Sequence, residues 1–281
     1  MEMKDYQKKL FPYAYNILDS YDDAKDAVQD VVAKHFLNNS NTTIENESNY
    51  LIRGVINQSI NLKKRKSRTL NPKLTLPEPI STENADTDIT RKDILSFSLL
   101  VLLDKLNPKE RAIFILKEAF DYSHDDIART LDLSIENSRK LLSRAKAKLG
   151  EYKPSRPGSA STTRQLEDYI SAIQTGNMKS LENMFAKEIS VKTDGGTVSI
   201  VAEFVSGIIP VAQFLTYVYT MYQTKATIRI TSVNNQPALL FYKDGILINC
   251  QVFSINSESG AIQDIHSIVN PEKLKNLKIF K

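Results

Sequence analysis

Cysteine is almost missing from this chain: Cys250 is the only one in 281 residues, so no internal disulfide can form. Histidine is nearly as scarce. His35, His124 and His266 are scattered, which leaves a structural zinc ion without a ligand set, and no metal or cofactor is expected. No run reaches the roughly 18 apolar residues that a membrane span needs, and the opening MEMKDYQKKL lacks the apolar stretch of a secretory signal. Internal repeats are absent too. These absences suit a cytoplasmic protein with no membrane partner, long enough for two or three domains.

The net charge of +4 is modest, so the placement of charge is more informative than its total. Residues 63–68, KKRKSR, hold five cations in six positions, and Arg139 to Lys148 hold five more with no acid among them. Two separate basic patches point to two contacts with nucleic acid. One such patch alone would read as a solvated helix face.

Residues 123–149, SHDDIARTLDLSIENSRKLLSRAKAKL, carry the pattern of a helix-turn-helix. Ile127, Ala128 and Leu131 share one helix face, and small Ala128 lets a second helix cross closely. Asp132-Leu133-Ser134 forms the turn. Asp132 stands where Gly is usual, a mild departure because Asp tolerates left-handed backbone, and Ser134 is placed to cap the next helix. There Leu141, Leu142 and Ala145 face inward, while Asn137, Arg139, Lys140, Ser143 and Arg144 are left outside with Lys146 and Lys148 following. Arg and Asn make bidentate contacts to base edges in the major groove, and Lys neutralises phosphate. The plainer reading is a helical hairpin with a solvated basic end.

Upstream, residues 5–66 read as three helices. Tyr6, Leu10, Tyr13, Ala14 and Ile17 recur at helical spacing, as do Ala24, Ala27, Val28, Val31, Val32 and Phe36. Asp22 and Asp23 open the second helix, at the end where the dipole favours acids. A polar loop, Asn38–Ser48, precedes a third helix running from Tyr50 into KKRKSR, apolar on one face and rich in Arg and Asn on the other. Residues 67–88 contain Pro72, Pro77 and Pro79 and read as a linker. Helices resume over 89–106 and 108–120, the latter opened by Asn107-Pro108. A second linker covers 151–163. Beyond it come helices at 164–175, 178–186 and 210–223, a short strand around Ile189–Lys192, and strands at 226–233, 238–243, 246–255 and 261–269. The turn residues Asn234-Asn235, Asp244-Gly245 and Ser259-Gly260 separate those strands. Helices followed by a run of strands argue an α+β domain with helices on one face of a curved antiparallel sheet.

The order of these features resembles a bacterial extracytoplasmic-function (ECF) RNA polymerase sigma factor over residues 5–150, on LNPKERAIFIL and the helix-turn-helix tract. The remainder is similar to the SnoaL-like cone at the C-terminus of one group of these factors. LPEP (76–79), DGG (194–196), NPEKL (270–274) and ENSRKLLSRA (136–145) carry that narrower resemblance. DGG is followed here by Thr, where the group more often shows a third Gly or a basic residue.

The resemblance implies two all-α domains followed by a SnoaL-like cone: 1–66 for the minus-ten element and core polymerase, 89–150 for the minus-thirty-five element, and 164–281 as a regulatory domain. It implies that Arg53, Asn57, Asn61, Lys63, Lys64 and Arg65 meet the minus-ten element, and Asn137, Arg139, Lys140, Ser143 and Arg144 the minus-thirty-five element. Asp26, Gln29 and Asp30 are placed where the family binds the polymerase clamp, the alternative being a solvated acidic face. The Asn38–Ser48 loop falls where the family holds a flipped base. With Tyr50 the lone aromatic on its helix, weak melting and a strict promoter requirement are expected. LPEP would thread along the polymerase. Asp194, Gly195 and Gly196, with Asn270, Pro271, Glu272, Lys273 and Leu274, would join the cone to the sigma domains; an ordinary loop and a frayed tail are the alternative.

Some relatives of such cones catalyse proton transfers. Asp264 and His266, two apart on a strand, share a sheet face and read either as an acid–base pair in a pocket or as a structural or solvated pair. Cys250 reads as core, and Tyr217, Tyr219 and Tyr222 as packing residues. Three functions are therefore open: a sigma factor that binds core RNA polymerase and promoter DNA, a one-component regulator whose cone takes a small molecule, and a cyclase- or isomerase-like enzyme tethered to DNA. The basic third helix and LPEP have a purpose only in the first.

Overall fold

Apolar residues at helical spacing bury one face of each N-terminal helix. In the computed structural model, which describes residues 3–38, 46–69, 75–82, 93–150 and 160–277, these are α1 (Met3–Leu18), α2 (Tyr21–Asn38) and α3 (Glu47–Thr69). Leu10, Ala14 and Ile17 of α1, Ala24, Ala27 and Val28 of α2, and Leu51, Val55 and Ile56 of α3 are all buried. Gly54 lets α2 and α3 approach closely, since a Cβ there would sit 2.9 Å from Val31 Cγ1. Of the helix expected over 89–106, residues 89–92 lie outside the described residues, Ile94 to Ser96 are not helical, and α4 is Phe97–Leu103.

Three more helices follow: α5 (Pro108–Glu118), α6 (His124–Leu131) and α7 (Ile135–Leu149). Asn107 caps α5 in a reciprocal box with Glu110, each side chain accepting from the other end's backbone N–H.

The chain divides into two compact units. The first comprises residues 1–73, 85–95 and 99–153, and a buried guanidinium holds its two groups of helices together. Arg111 is fully buried. Its Nε donates to the Asn16 carbonyl (3.1 Å), and its Nη atoms reach Asp104 (2.7 Å) and Asp19 (3.2 Å). Lys63 of α3 adds a second cation, 2.6 Å from Asp19 and 3.4 Å from Asp104. Burial alone would raise the Asp19 carboxyl, but Lys63 and Arg111 hold it below the usual range. Asp104 goes the other way, raised by burial and by the charge on Asp19.

The second unit comprises residues 74–84, 96–98 and 154–281. Helices α8 (Ala160–Thr175), α9 (Met178–Met184) and α10 (Ile208–Val218) pack on a six-stranded sheet. Its strands are β1 (Phe185–Asp194), β2 (Phe204–Ser206), β3 (Thr227–Val233), β4 (Gln236–Lys243), β5 (Ile246–Ile255) and β6 (Ile262–Ile268), and α11 (Pro271–Leu274) follows. Leu166, Tyr169, Leu181, Ile189, Val211, Phe241, Phe253 and Ile265 form the core between helices and sheet.

The strand order is β2-β1-β6-β5-β4-β3. The expected hairpins are present, with Asn234, Asn235, Asp244 and Gly245 all at positive φ. The expectation of a purely antiparallel sheet is corrected, because β1 pairs with β6 in parallel, Val191 against Ile265. No local turn joins those two strands, so turn chemistry could not reveal their direction. The three-residue strand β2 was also too short to register.

Replacing Arg111 with Met is expected to destabilise the chain by about 3 kcal/mol, since it removes the buried cation shared by Asp19 and Asp104 and leaves Lys63 alone to neutralise both. Urea unfolding measures this, and a loss below about 1 kcal/mol would mean that the cluster does not hold the helices together.

Candidate functional site

Local hydrogen bonding builds the helix-turn-helix as its residue types suggest. Ser123 caps α6, Asp132 closes it in left-handed conformation (φ 54°, ψ 62°), and Ser134 accepts from Asn137 N–H to start α7. Leu142, Ala145 and Leu149 are buried, and Leu141 is only half-buried. Asn137, Arg139, Lys140, Ser143 and Arg144 are all exposed along one stripe. The two later lysines are anchored inward, Lys146 to Glu118 (2.8 Å) and Lys148 to Glu110 (2.7 Å). Ser138 lies within the same helix yet is buried, its hydroxyl 2.9 Å from His124 Nδ1. Only the i, i+4 spacing to Leu142 hinted at that.

The basic face of α3 is divided. Arg53, Asn61 and Arg65 are exposed, and Lys64 is half-buried. Asn57 instead donates to the Thr130 carbonyl of α6 (3.3 Å), and Lys63 is held by Asp19 and Asp104. Asp26, Gln29 and Asp30 of α2 are exposed, with Asp30 accepting from Gln58 at 3.5 Å. Of the Asn38–Ser48 loop, residues 39–45 lie outside the described residues, as do 70–74 and 83–88 of the first linker and 151–159 of the second. Buried His35, 2.7 Å from Glu47, ties the start of α3 to α2. No motif announced it.

Three distant tracts meet at Asp194. One carboxylate oxygen accepts from Leu76 N–H (2.9 Å) and pairs with Lys273 Nζ (2.7 Å); the other accepts from Gly196 N–H (3.0 Å). Lys273 also donates to the Leu76 carbonyl. Asn270 caps α11 by accepting from Glu272 N–H, and Asn276 donates to buried Glu78 (2.8 Å). Pro77, Glu78 and Pro79 are buried, so LPEP sits in the cone's own unit. Leu274 is buried, whereas Pro271 and Glu272 face outward. Gly195 packs under Ile200, and Gly196 (φ 59°) faces the Asn270 amide. Two further contacts lay outside sequence reasoning. Asn234 exchanges hydrogen bonds with Ile80, and fully buried Gln236 accepts from Ser98 N–H (2.7 Å).

Asp264 and His266 do share a face, but not the face toward the cone's cavity, which Ser267 and Val269 line. Asp264 accepts from Ser190 Oγ (2.6 Å), and burial raises its carboxyl against that bond and Lys192. His266 is buried beside the Phe97 ring, its imidazole held neutral at about 3 by burial and then by Lys192. The pair therefore does not line that cavity. Cys250 is buried, and Tyr219 packs in the core, whereas Tyr217 and Tyr222 are exposed.

The family model described as Sigma-70, region 4, matches residues 96–149. Residues 96–149 are thus similar to a sigma-70 region 4. The chain is also similar to the probable ECF RNA polymerase sigma factor SigI of Mycobacterium tuberculosis, in two strains, at 27% identity over 202 residues. That match covers 70% of this chain and 66% of the relative. Among solved structures, the Mycobacterium tuberculosis ECF sigma factor SigJ shares the fold across 99% of this chain and 98% of its own, with a TM-score of 0.75 at 20% identity. The resemblance to the ECF sigma factors therefore holds, from two helical groups through region 4 to the cone. The exposed stripe lies on α7, the second helix of the helix-turn-helix, within the matched residues.

Alanine at position 196 would place a Cβ 2.3 Å from Asn270 Nδ2 at a φ that only Gly adopts freely. Gly196→Ala is expected to cost about 1–3 kcal/mol, read by thermal unfolding, and an unshifted Tm would mean that this approach is not tight. His266 gives a pH signature. Its folded pKa of about 3 lies below the ordinary 6.5, so only the unfolded chain takes up this proton between those values. Stability should fall as pH drops through that window, by at most about 1.4 kcal/mol per unit. Urea unfolding at several pH values checks this, and an equal slope in His266→Phe would remove His266 as the cause.

Proposed function

We propose that this chain is a sigma factor: it binds core RNA polymerase and directs promoter-specific initiation of transcription, and its fused cone regulates it. The carrying observation is the exposed stripe Asn137, Arg139, Lys140, Ser143 and Arg144 on a well-capped helix, set in a sigma-70 region 4. In this reading residues 1–66 engage the minus-ten element and 89–150 the minus-thirty-five element. The stretches 67–88 and 151–163 connect, and 164–281 regulate. Arg53, Asn61, Lys64 and Arg65 of α3 face the minus-ten DNA. Asp26, Gln29 and Asp30 of α2 meet the polymerase.

Asn57 and Lys63 belong to the same DNA surface but are engaged within the first unit, so promoter binding has to draw them away from Thr130, Asp19 and Asp104. Regulation acts through the Asp194 contact, which fixes the LPEP segment on the cone. The protein is a polymerase subunit working in the cytoplasm rather than an enzyme. No helix among the described residues is long and apolar enough to cross a membrane.

Run-off transcription with core RNA polymerase tests the reading, with expected initiation from a defined promoter at low salt. Replacing Arg139 and Lys140 together with Ala should lower output at least tenfold, because each base-reading contact contributes about 1–3 kcal/mol. Unchanged output from the double variant would move promoter reading off α7, and failure to associate with core polymerase would remove the reading altogether.

A further inference from the structure

The cone encloses a cavity of about 460 Å³, within the roughly 300–1,000 Å³ typical of small-molecule sites. Val191, Leu215, Val218 and Ile248 supply apolar walls. Five buried polar side chains, Thr193, Gln223, Asn249, Gln251 and Ser267, interrupt them, and two of these keep an unpartnered atom. Asn249 is 1% exposed, and its Oδ1 accepts from Ser267 Oγ at 3.0 Å, while Nδ2 has no partner among the described residues. Turning the amide over keeps the bond to Ser267 and leaves the oxygen unpaired instead, so one amide atom is left over either way. The Thr193 hydroxyl, in a residue 7% exposed, is also unpartnered. Buried polar groups are normally satisfied, and both of these belong to the lining of one cavity.

A second feature points to the same place. After α10 the chain makes a π-helical turn, Tyr219–Gln223, which sends Tyr219 into the core while Tyr222 and Gln223 reach the cavity. Such turns are rare and recur at functional sites. Val198, Val201 and Tyr222 belong to the lining yet are exposed, and so mark the mouth.

The lining contains no Asp, Glu, His, Lys or Arg. An ion entering it would lose hydration with no counter-charge, and a proton transfer would lack a carboxylate, imidazole or amine. The walls also share backbone with the Asp194 contact. Thr193 precedes Asp194, Val198 N–H donates to the Gly195 carbonyl, and Val269 N–H donates to the Asp194 carbonyl.

We propose that this cavity binds one neutral, largely apolar molecule bearing a carbonyl-type group that pairs with Asn249, and that its occupancy is felt at Asp194 and the Leu76 segment. The binding step stands by itself; only its effect on transcription rests on the sigma-factor reading.

The full-length chain is titrated with the neutral naphthyl ketone prodan, whose emission shifts to the blue in apolar surroundings. Saturable emission at one probe per chain is expected. Val218→Trp, which fills the cavity, should weaken it about tenfold or more, and Asn249→Leu, which keeps volume but removes the amide, about three- to tenfold. Amide hydrogen exchange at Leu76 should change about twofold or more when the probe is bound. Absence of saturable binding, or equal binding by both folded variants, overturns the site. Equally tight binding of the anionic anilinonaphthalene sulfonate overturns the neutral class, and unchanged Leu76 exchange with probe bound overturns the link to Asp194. Run-off transcription is independent of all these outcomes, so the two readings fail separately.

Discussion

A single buried carboxylate organises the C-terminal unit. Asp194 draws in Leu76 from 118 residues upstream and Lys273 from 79 residues downstream. A charge in such a place is tolerable only when a counter-ion and hydrogen-bond donors surround it. Here the ammonium of Lys273 and two backbone amides do so. The carboxylate is thus satisfied only when linker, sheet and tail helix are assembled together, and each tract depends on the other two for its position.

The first unit shows a related economy. Lys63 has the residue type and place for a phosphate contact, yet it sits between two carboxylates beside Arg111, and Asn57 spends its amide on a carbonyl of α6. In the proposed reading, a surface committed in this way would meet DNA only after giving up its internal partners. Phosphate and carboxylate would then compete for one lysine. The stripe on α7 carries no such commitment, because its inward anchoring falls to Lys146 and Lys148 at the far end.

Much of this was legible from residues alone, and for physical reasons. Periodicity found the helices because one buried face repeats every three or four positions. Turn chemistry found the β3–β4 and β4–β5 hairpins because Asn and Asp-Gly accept positive φ. Capping residues fixed the starts of α5 and α7. What stayed hidden is non-local. The parallel pairing of β1 with β6, the buried charges around Arg111, and the burial of LPEP against the cone all join residues far apart in the chain, and no short window encodes them. The face of Asp264 and His266 illustrates the limit. Alternation placed the two together but could not say which side of the sheet held the cavity.

The segment holding Ile80 to Thr82 lies along β3, the outermost strand at that end of the sheet, through Ser81 opposite Val233 and Thr82 N–H on the Ser232 carbonyl. Lifting that segment would bare the Ser232 carbonyl and the Asn234 amide at the end of this edge strand, groups of the kind that pair with a strand from another molecule. The linker therefore covers the last residues of this edge. Any step that frees it must be brief or immediately followed by capture elsewhere, which gives the released form a built-in incentive to close again.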